Sequence, residues 1–202
     1  VGAGFSGAAC AYHWACSDPG HRSLVVVEMD DPASGASGRN EGLVVMGRYF
    51  KMVHDTVLRQ LPTSRPDLDA DQRRQLAWQF ARQYCLAAYH NADLIAETIK
   101  AHQFDCDYVR AGWVQARTAS EQASLESSVQ VAEQSGFRDW TRIDTATAHS
   151  LSGMVLDQPA GFSRQSASWH PAKWVWCLLE EALKAKDSEI AALKKELADG
   201  GK

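Results

Sequence analysis

The feature that most constrains the fold of this chain is the glycine pattern in its first ten residues, VGAGFSGAAC. Gly2, Gly4 and Gly7 follow the spacing GxGxxG. The first glycine of such a segment permits a tight turn, the second lets the backbone approach a pyrophosphate, and the third lets a helix pack closely. Because a helix beginning there would point its unpaired N–H groups at the phosphates, the pattern predicts a dinucleotide-binding turn. An ordinary turn is the alternative interpretation.

A second feature follows at residues 23–30, SLVVVEMD. This short run is rich in β-branched residues and is bounded by turn-forming segments, which predicts a buried parallel strand. Glu28 lies near its end, and an acidic residue about 20 positions beyond the last glycine typically binds the hydroxyls of an adenosine ribose. Glu28 would repel the ribose phosphate of NADP, so the pattern favours NAD or FAD. The alternative interpretation is a solvated carboxylate at the end of a strand.

The third feature is the loop ASGASGRNEGLV, residues 33–44. Three glycines allow this loop to approach a ligand closely: Gly35, Gly38 and Gly42. Four side chains offer donors for pyrophosphate or for flavin heteroatoms: Ser34, Ser37, Arg39 and Asn40. Serine, glycine and asparagine are also common in surface turns, which is the alternative interpretation.

Together, the glycine turn, Glu28 and the GASGRN-type loop resemble FAD-dependent oxidoreductases of the D-amino-acid oxidase and glycine oxidase type. Residues 104–136 are similar to the family segment in which a glycine-bearing strand leads to T-x-x-E and a helix. Residues 167–183 are similar to a later family loop that enters a helix at Pro171. Glu41 departs from the small residue usual in the family. The resemblance extends over residues 1–183, in the family's order.

The resemblance implies an α/β fold. We expect part of an FAD-binding Rossmann-like domain, with helices on a parallel sheet, together with a helical excursion and a long C-terminal helix. The expected organisation has four parts: an N-terminal FAD-binding βαβ half (1–48), the helical excursion (49–103), a continuation of the FAD and substrate domain (104–183), and a coiled-coil-like terminal helix that looks appended (184–202).

The resemblance also implies FAD as cofactor and a small-molecule amine or amino acid as substrate, oxidised by hydride transfer to flavin. Twelve residues are the expected cofactor contacts: Gly2, Ala3, Gly4, Phe5, Ser6, Gly7, Glu28, Ser37, Arg39, Asn40, Gly42 and Leu43. The sequence identifies neither a catalytic residue nor a metal site, and each histidine is interpreted as a structural or a surface residue. The alternatives are an NAD-linked dehydrogenase and a non-catalytic fragment that self-associates through its terminal helix.

The helical excursion should contain an amphipathic helix within residues 73–102. Large apolar residues recur there at helical spacing and predict a buried stripe: Leu76, Phe80, Tyr84, Leu94 and Ile95, with Ala87 or Ala88 between them. A stripe of this kind usually belongs to a hydrophobic core. We interpret it in that way.

The terminal segment AKDSEIAALKKELADGGK, residues 185–202, departs from the family pattern. Five apolar residues fit coiled-coil spacing: Leu179, Leu183, Ile190, Leu193 and Leu197. Two to three heptads make a marginal dimer, so self-association is an expectation only. Because no strand precedes the glycine turn in this sequence, we expect FAD to bind weakly or not at all, without turnover.

Composition agrees with an ordinary globular protein of 202 residues, 45% of them hydrophobic. The net charge of −4 and the scattered lysines and arginines give no nucleic-acid-binding stripe. The sequence contains no apolar run long enough to predict a membrane span. Five cysteines without CxxC pairs predict reduced thiols and a cytoplasmic location.

Overall fold

The structure is a computed structural model that describes residues 2–17 and 24–199, with side chains as far as residue 188. Six α-helices lie in these ranges: α1 (Phe5–Ser17), α2 (Tyr49–Ser64), α3 (Ala70–His102), α4 (Gln122–Gln134), α5 (Thr145–Ser152) and α6 (Pro171–Asp199). Five short strands accompany them: β1 (Leu43–Val44), β2 (Trp113–Gln115), β3 (Trp140–Ile143), β4 (Ala160–Ser163) and β5 (Ala167–Ser168). The chain therefore contains both helices and strands, as an α/β fold requires.

The chain divides into two compact units. The first unit comprises Val1–Leu43, Ile99–Tyr108 and Trp169–Lys202. The second comprises Val44–Thr98 and Val109–Ser168. The predicted excursion, residues 49–103, contains α2 and α3.

The first unit is built on the packing of α1 against α6. Small residues of α1 are buried, including Ala8 and Ala11, and so are Val175 and Leu178 of α6. Helix α6 begins at Pro171, as predicted, because the fixed φ of proline suits the first helical position. This pairing places the start of α1 beside the loop that enters α6.

The second unit contains an antiparallel sheet in the order β2-β4-β3. On one face of it, Trp140 is buried and its indole Nε1 donates to Ser128 Oγ of α4 at 3.0 Å. Gly161 of β4 lies beneath the Trp140 ring, where a Cβ atom would overlap the ring atoms. A core of buried residues from α2, α3 and α4, and from the segment between α4 and β3, packs with Trp140: Phe50, Ala81, Cys85, Leu125, Ala132 and Phe137.

The buried face of α3 differs from the predicted one. Its buried residues are small: Ala77, Ala81, Cys85 and Ala92. Phe80 and Tyr84, predicted to be core residues, are about half exposed, at 53% and 50%. The predicted stripe was wrong by about one position along the helix. The small side chains let α3 approach its neighbours closely, so the larger side chains lie at the edge of the contact.

The start of α4 follows its sequence signal. A 3₁₀ turn, Ala119–Glu121, precedes the helix, and Thr118 lies at its N-cap. The Glu121 carboxylate accepts hydrogen bonds from the backbone N–H of Thr118 at 2.9 Å and from its hydroxyl at 2.8 Å. The Glu121 carboxylate therefore binds the N-cap residue Thr118, and the helical segment begins where T-x-x-E predicts it.

The strand predicted at residues 23–30 is not formed in the described part of that segment. Residues 24–28 have no regular secondary structure, and Val25 and Val27 are 71% and 66% exposed. Strands form by pairing with neighbouring strands, and the two sheets found in the described ranges join other segments. Those sheets are small, the three-stranded one is antiparallel, and the predicted parallel sheet is not among them.

The terminal segment continues α6 as far as Asp199. Leu183, one of the predicted coiled-coil positions, is 67% exposed. Three other positions, Ile190, Leu193 and Leu197, lie beyond the described side chains, as residues 200–202 lie beyond the described backbone. Within the described ranges, no helix is both long and apolar enough to cross a membrane.

We expect Gly161→Ala to lower the free energy of unfolding by about 1–3 kcal/mol, because the added methyl group must displace the Trp140 ring. Chemical denaturation followed by tryptophan fluorescence measures this change. Gly35→Ala is the matched control, since a Cβ atom at Gly35 meets nothing within 4 Å. Equal stability of the two variants would contradict the packing described here.

Four of the five cysteines should react with a thiol reagent in two groups. Cys10 and Cys16 are exposed and should react in the native protein. Burial raises the pKa of Cys85 and of Cys106 to about 11, so both should react only after unfolding. Mass spectrometry after native labelling identifies the modified residues, and labelling in denaturant is the control. Rapid native labelling of Cys85 or Cys106 would show that the burial is wrong.

Candidate functional site

The glycine turn leads directly into α1. The helix begins at Phe5, and the Gly4 carbonyl accepts the Ala8 N–H at 2.9 Å. The Phe5 N–H donates to Ser37 Oγ of the loop at 2.9 Å. A Cβ atom at Gly4 would lie 2.7 Å from the same oxygen, so a larger residue there would displace the Ser37 hydroxyl. The spacing GxGxxG therefore forms a turn at a helix N-terminus.

Glu28 lies against this turn. Its Oε2 accepts the backbone N–H of Ala3 at 2.5 Å, and its Oε1 accepts the N–H of Met29 at 2.8 Å. A Cβ atom at Gly2 would lie 3.1 Å from Oε2. These hydrogen bonds, that from Met29 first and that from Ala3 second, lower the pKa of Glu28 below its ordinary value. The structure therefore brings together two features that are far apart in the sequence, and Glu28 is held as an anion.

The loop of residues 33–44 also contacts the turn. Ala33 donates its N–H to the Ala3 carbonyl at 3.0 Å, and it adopts a φ of 67°. This contact was not predicted, because alanine carries no sequence signal for such a conformation. Together with Ser37, it fixes the loop to the start of α1.

Asn40 and Arg39, two predicted donors of this loop, differ in whether they have partners within the protein. The Asn40 amide nitrogen donates to the carbonyls of Ala36 and Ser37, at 3.1 and 2.8 Å, and Oδ1 accepts the Gly42 N–H at 2.8 Å. Its predicted donor is thus used to shape the loop. Arg39 is exposed and has no ion-pair partner in the described ranges. Its guanidinium is therefore available to an anion.

The end of the loop is fixed by the segment that enters α6. Gly42 has a φ of 66°, and a Cβ atom there would overlap the Trp169 carbonyl oxygen. The Gly42 carbonyl accepts the Trp169 N–H at 2.9 Å. The Trp169 ring lies 5.8 Å from that of Phe5, measured between ring centroids. Gly42 is thus required both for its backbone conformation and for this close approach, and Leu43 follows it as the first residue of β1.

The turn fits a dinucleotide pyrophosphate. The first N–H groups of a helix lack acceptors within the helix. Those of Ser6 and Gly7 have no acceptor among the described residues, whereas Phe5 and Ala8 have theirs. Two unpaired donors at the positive end of α1, an exposed guanidinium and an anionic acceptor at Glu28 match phosphate and ribose chemistry. This donor set is compatible with FAD.

The histidines His102 and His170 have hydrogen-bond partners within the protein. Tyr12 OH and His102 Nε2 are 2.8 Å apart, and His102 Nδ1 lies 3.2 Å from the Glu181 carboxylate. This chain of contacts joins α1, the end of α3 and α6, and no sequence pattern indicated it. His170 Nδ1 accepts the Lys173 N–H at 3.3 Å within the start of α6. Both histidines have structural contacts, and catalytic residues stay unassigned.

A family model described as FAD dependent oxidoreductase matches residues 1–192. The chain belongs to this family. Its cofactor is FAD, and the resemblance drawn from the glycine turn, Glu28 and the GASGRN-type loop is confirmed.

A curated relative agrees with the family assignment. The chain is similar to the gamma-glutamylputrescine oxidoreductase of Escherichia coli (strain K12), with 26% identity over 167 residues. The matched region covers 80% of this chain and 34% of the relative, so the chain spans about a third of that protein's length.

The charge of Glu28 should stabilise the protein in a pH-dependent way. Because its folded pKa lies below the ordinary value of 4.5, this stabilisation is present above that pH and is lost as the pH falls through the folded pKa. The difference in unfolding free energy between the wild type and Glu28→Gln should therefore be larger at neutral pH than at about pH 3.

An NMR titration of the Glu28 side-chain carboxyl carbon measures the pKa directly. A midpoint at or above 4.5 would contradict the hydrogen bonds described for this carboxylate.

Proposed function

We propose that the glycine turn, Glu28 and the loop of residues 33–44 hold the adenosine diphosphate part of FAD in a protein that oxidises an amine or an amino acid. The observation that carries the proposal is the junction at the turn, where Glu28 accepts from Ala3 and Ser37 accepts from Phe5. Among the described residues, the N–H groups of Ser6 and Gly7 in the same turn have no acceptor. An acceptor for ribose and donors for phosphate therefore lie side by side.

Glu28 would bind the ribose hydroxyls. An ionised carboxylate has about four lone-pair positions, and the N–H groups of Ala3 and Met29 use two of them. The remaining positions suit hydroxyl donors, and the low pKa of Glu28 keeps it an acceptor at neutral pH. A 2′-phosphate would be repelled at this position.

The N–H groups of Ser6 and Gly7 would bind the pyrophosphate, with the Arg39 guanidinium as a counter-charge. Ala3 and Gly42 would shape the site, because their backbone N–H and carbonyl groups are already bonded to Glu28, Ala33, Asn40 and Trp169. Ser37 and Asn40 hold the loop in place through the hydrogen bonds already described. The chain thus fixes the cofactor through a helix start and a loop that are bonded to each other.

FAD, when bound, supplies the hydride acceptor for oxidation of a carbon next to nitrogen. Two findings support an amine or amino acid as the substrate class: the family match and the similarity to a protein named as a gamma-glutamylputrescine oxidoreductase. The family match also weighs against the alternative of an NAD-linked dehydrogenase.

The test is direct titration of the purified chain with FAD, followed by flavin fluorescence and by the visible spectrum. We expect saturable binding, competition by ADP and no comparable competition by NADPH. Glu28→Gln should weaken FAD binding by about 10-fold to 100-fold, the usual effect of losing a hydrogen bond to a charged acceptor.

Glu126→Gln is the matched control, since Glu126 is exposed on α4 of the second unit. Its affinity for FAD should equal that of the wild type. The proposal fails if FAD does not bind at saturating concentration, or if the two variants bind it equally well.

A further inference from the structure

The second unit contains a cavity of about 610 Å³ that is separate in its residues from the cofactor turn. Three apolar side chains line it, Leu86 of α3, Phe137, and Phe162 of β4. Arg138 and Arg164 line it as well. Its volume lies within the range of small-molecule sites. Its lining combines apolar surface with two positively charged residues.

The one acidic group of this lining, Asp139, is already bound by neutral donors. Its Oδ2 accepts from the hydroxyls of Ser163, at 2.5 Å, and Tyr89, at 3.3 Å. Its Oδ1 accepts the backbone N–H of Gln165 at 2.8 Å. The Ser163 hydroxyl is fixed in turn by that of Ser166, at 2.7 Å, and both serines are fully buried. Asp139 is therefore a structural acceptor with its own donors.

The two arginines lack such partners. Arg138 and Arg164 are exposed, and neither has an ion pair with a carboxylate in the described ranges. Among the other arginines of the same unit, four have a carboxylate partner, Arg65, Arg74, Arg110 and Arg117, and those without one in the described ranges do not line this cavity. Within the described ranges, the cavity lining therefore combines two arginines that have no carboxylate partner with an aspartate that is already bound by neutral donors.

We propose that this cavity binds a small organic carboxylate with an apolar, preferably aromatic, body. The planar guanidinium groups offer donors in the geometry that a carboxylate accepts, often in pairs. Phe137, Phe162 and the partly exposed Leu86 offer apolar surface to the rest of the ligand. The two arginines disfavour amines, and the apolar walls disfavour small inorganic anions. The site uses no residue of the proposed FAD contacts.

The probe is 4-phenylbutyrate, titrated into the 202-residue chain by isothermal calorimetry without added FAD. Two compounds with the same body are the ligand controls, 4-phenylbutylamine and 4-phenyl-1-butanol. The carboxylate should bind saturably, while the amine and the alcohol should bind at least fivefold more weakly. Higher salt should weaken binding of the carboxylate, because the ionic contacts lie in exposed surroundings.

The protein variants are Arg138→Gln and Arg164→Gln, each expected to raise the Kd at least fivefold. Arg142→Gln is the matched control. Arg142 is exposed on β3 next to Thr141, which lines the cavity, and neighbouring residues of a strand point to opposite faces. Its Kd should stay within twofold of the wild type.

Three results would each overturn the proposal. The first is failure of 4-phenylbutyrate to bind the wild type at about 10 mM, which corresponds to a very weak interaction. The second is equal binding of the amine. The third is an unchanged Kd in the variant that carries both Arg138→Gln and Arg164→Gln, with circular dichroism showing that the variant is folded.

Discussion

The contact between the Glu28 carboxylate and the Ala3 N–H is the constraint on which the cofactor end of the first unit depends. It is a hydrogen bond to an ionised acceptor, a class stronger than bonds between neutral groups. It fixes the segment before the loop to the glycine turn, and the Ala33 and Ser37 contacts then fix the loop to the same turn. Without a carboxylate at this position, the turn would lose the acceptor of the Ala3 N–H.

Predictions that rested on local physical chemistry agreed with the structure. The glycine spacing predicted a turn at a helix start, because that geometry requires small residues within a few positions. Thr118 with Glu121 predicted the start of a helix, and Pro171 predicted another. Each of these signals acts over one turn of chain, so the residues that carry it also determine the outcome.

Predictions that depended on distant neighbours were less successful. Residues 24–28 have the composition of a buried strand, but a strand also requires a partner, and composition does not supply one. The burial of Ala77 and Ala81 in place of Phe80 depends on how closely other helices approach α3. The positive φ of Ala33 and the hydrogen bonds of Asn40 to its own loop depend on the conformation of the whole loop. In each case the deciding interaction joins residues that the sequence separates.

The two acidic groups at these sites, Glu28 and Asp139, show why a charge count from sequence is a poor guide to binding. Each carboxylate accepts from nearby neutral donors and has no cationic partner in the described ranges. Arg39, in the same unit as Glu28, and Arg138 and Arg164, which line the cavity together with Asp139, have no carboxylate partner in the described ranges either. A chain with a net charge of −4 can therefore offer anions, within its described residues, one arginine in the first unit and two in the second that have no carboxylate partner. Anion binding depends on whether each charged group already has a partner. A carboxylate that accepts hydrogen bonds from N–H and O–H donors gains less from an additional ion pair, so a nearby arginine stays available to an anion.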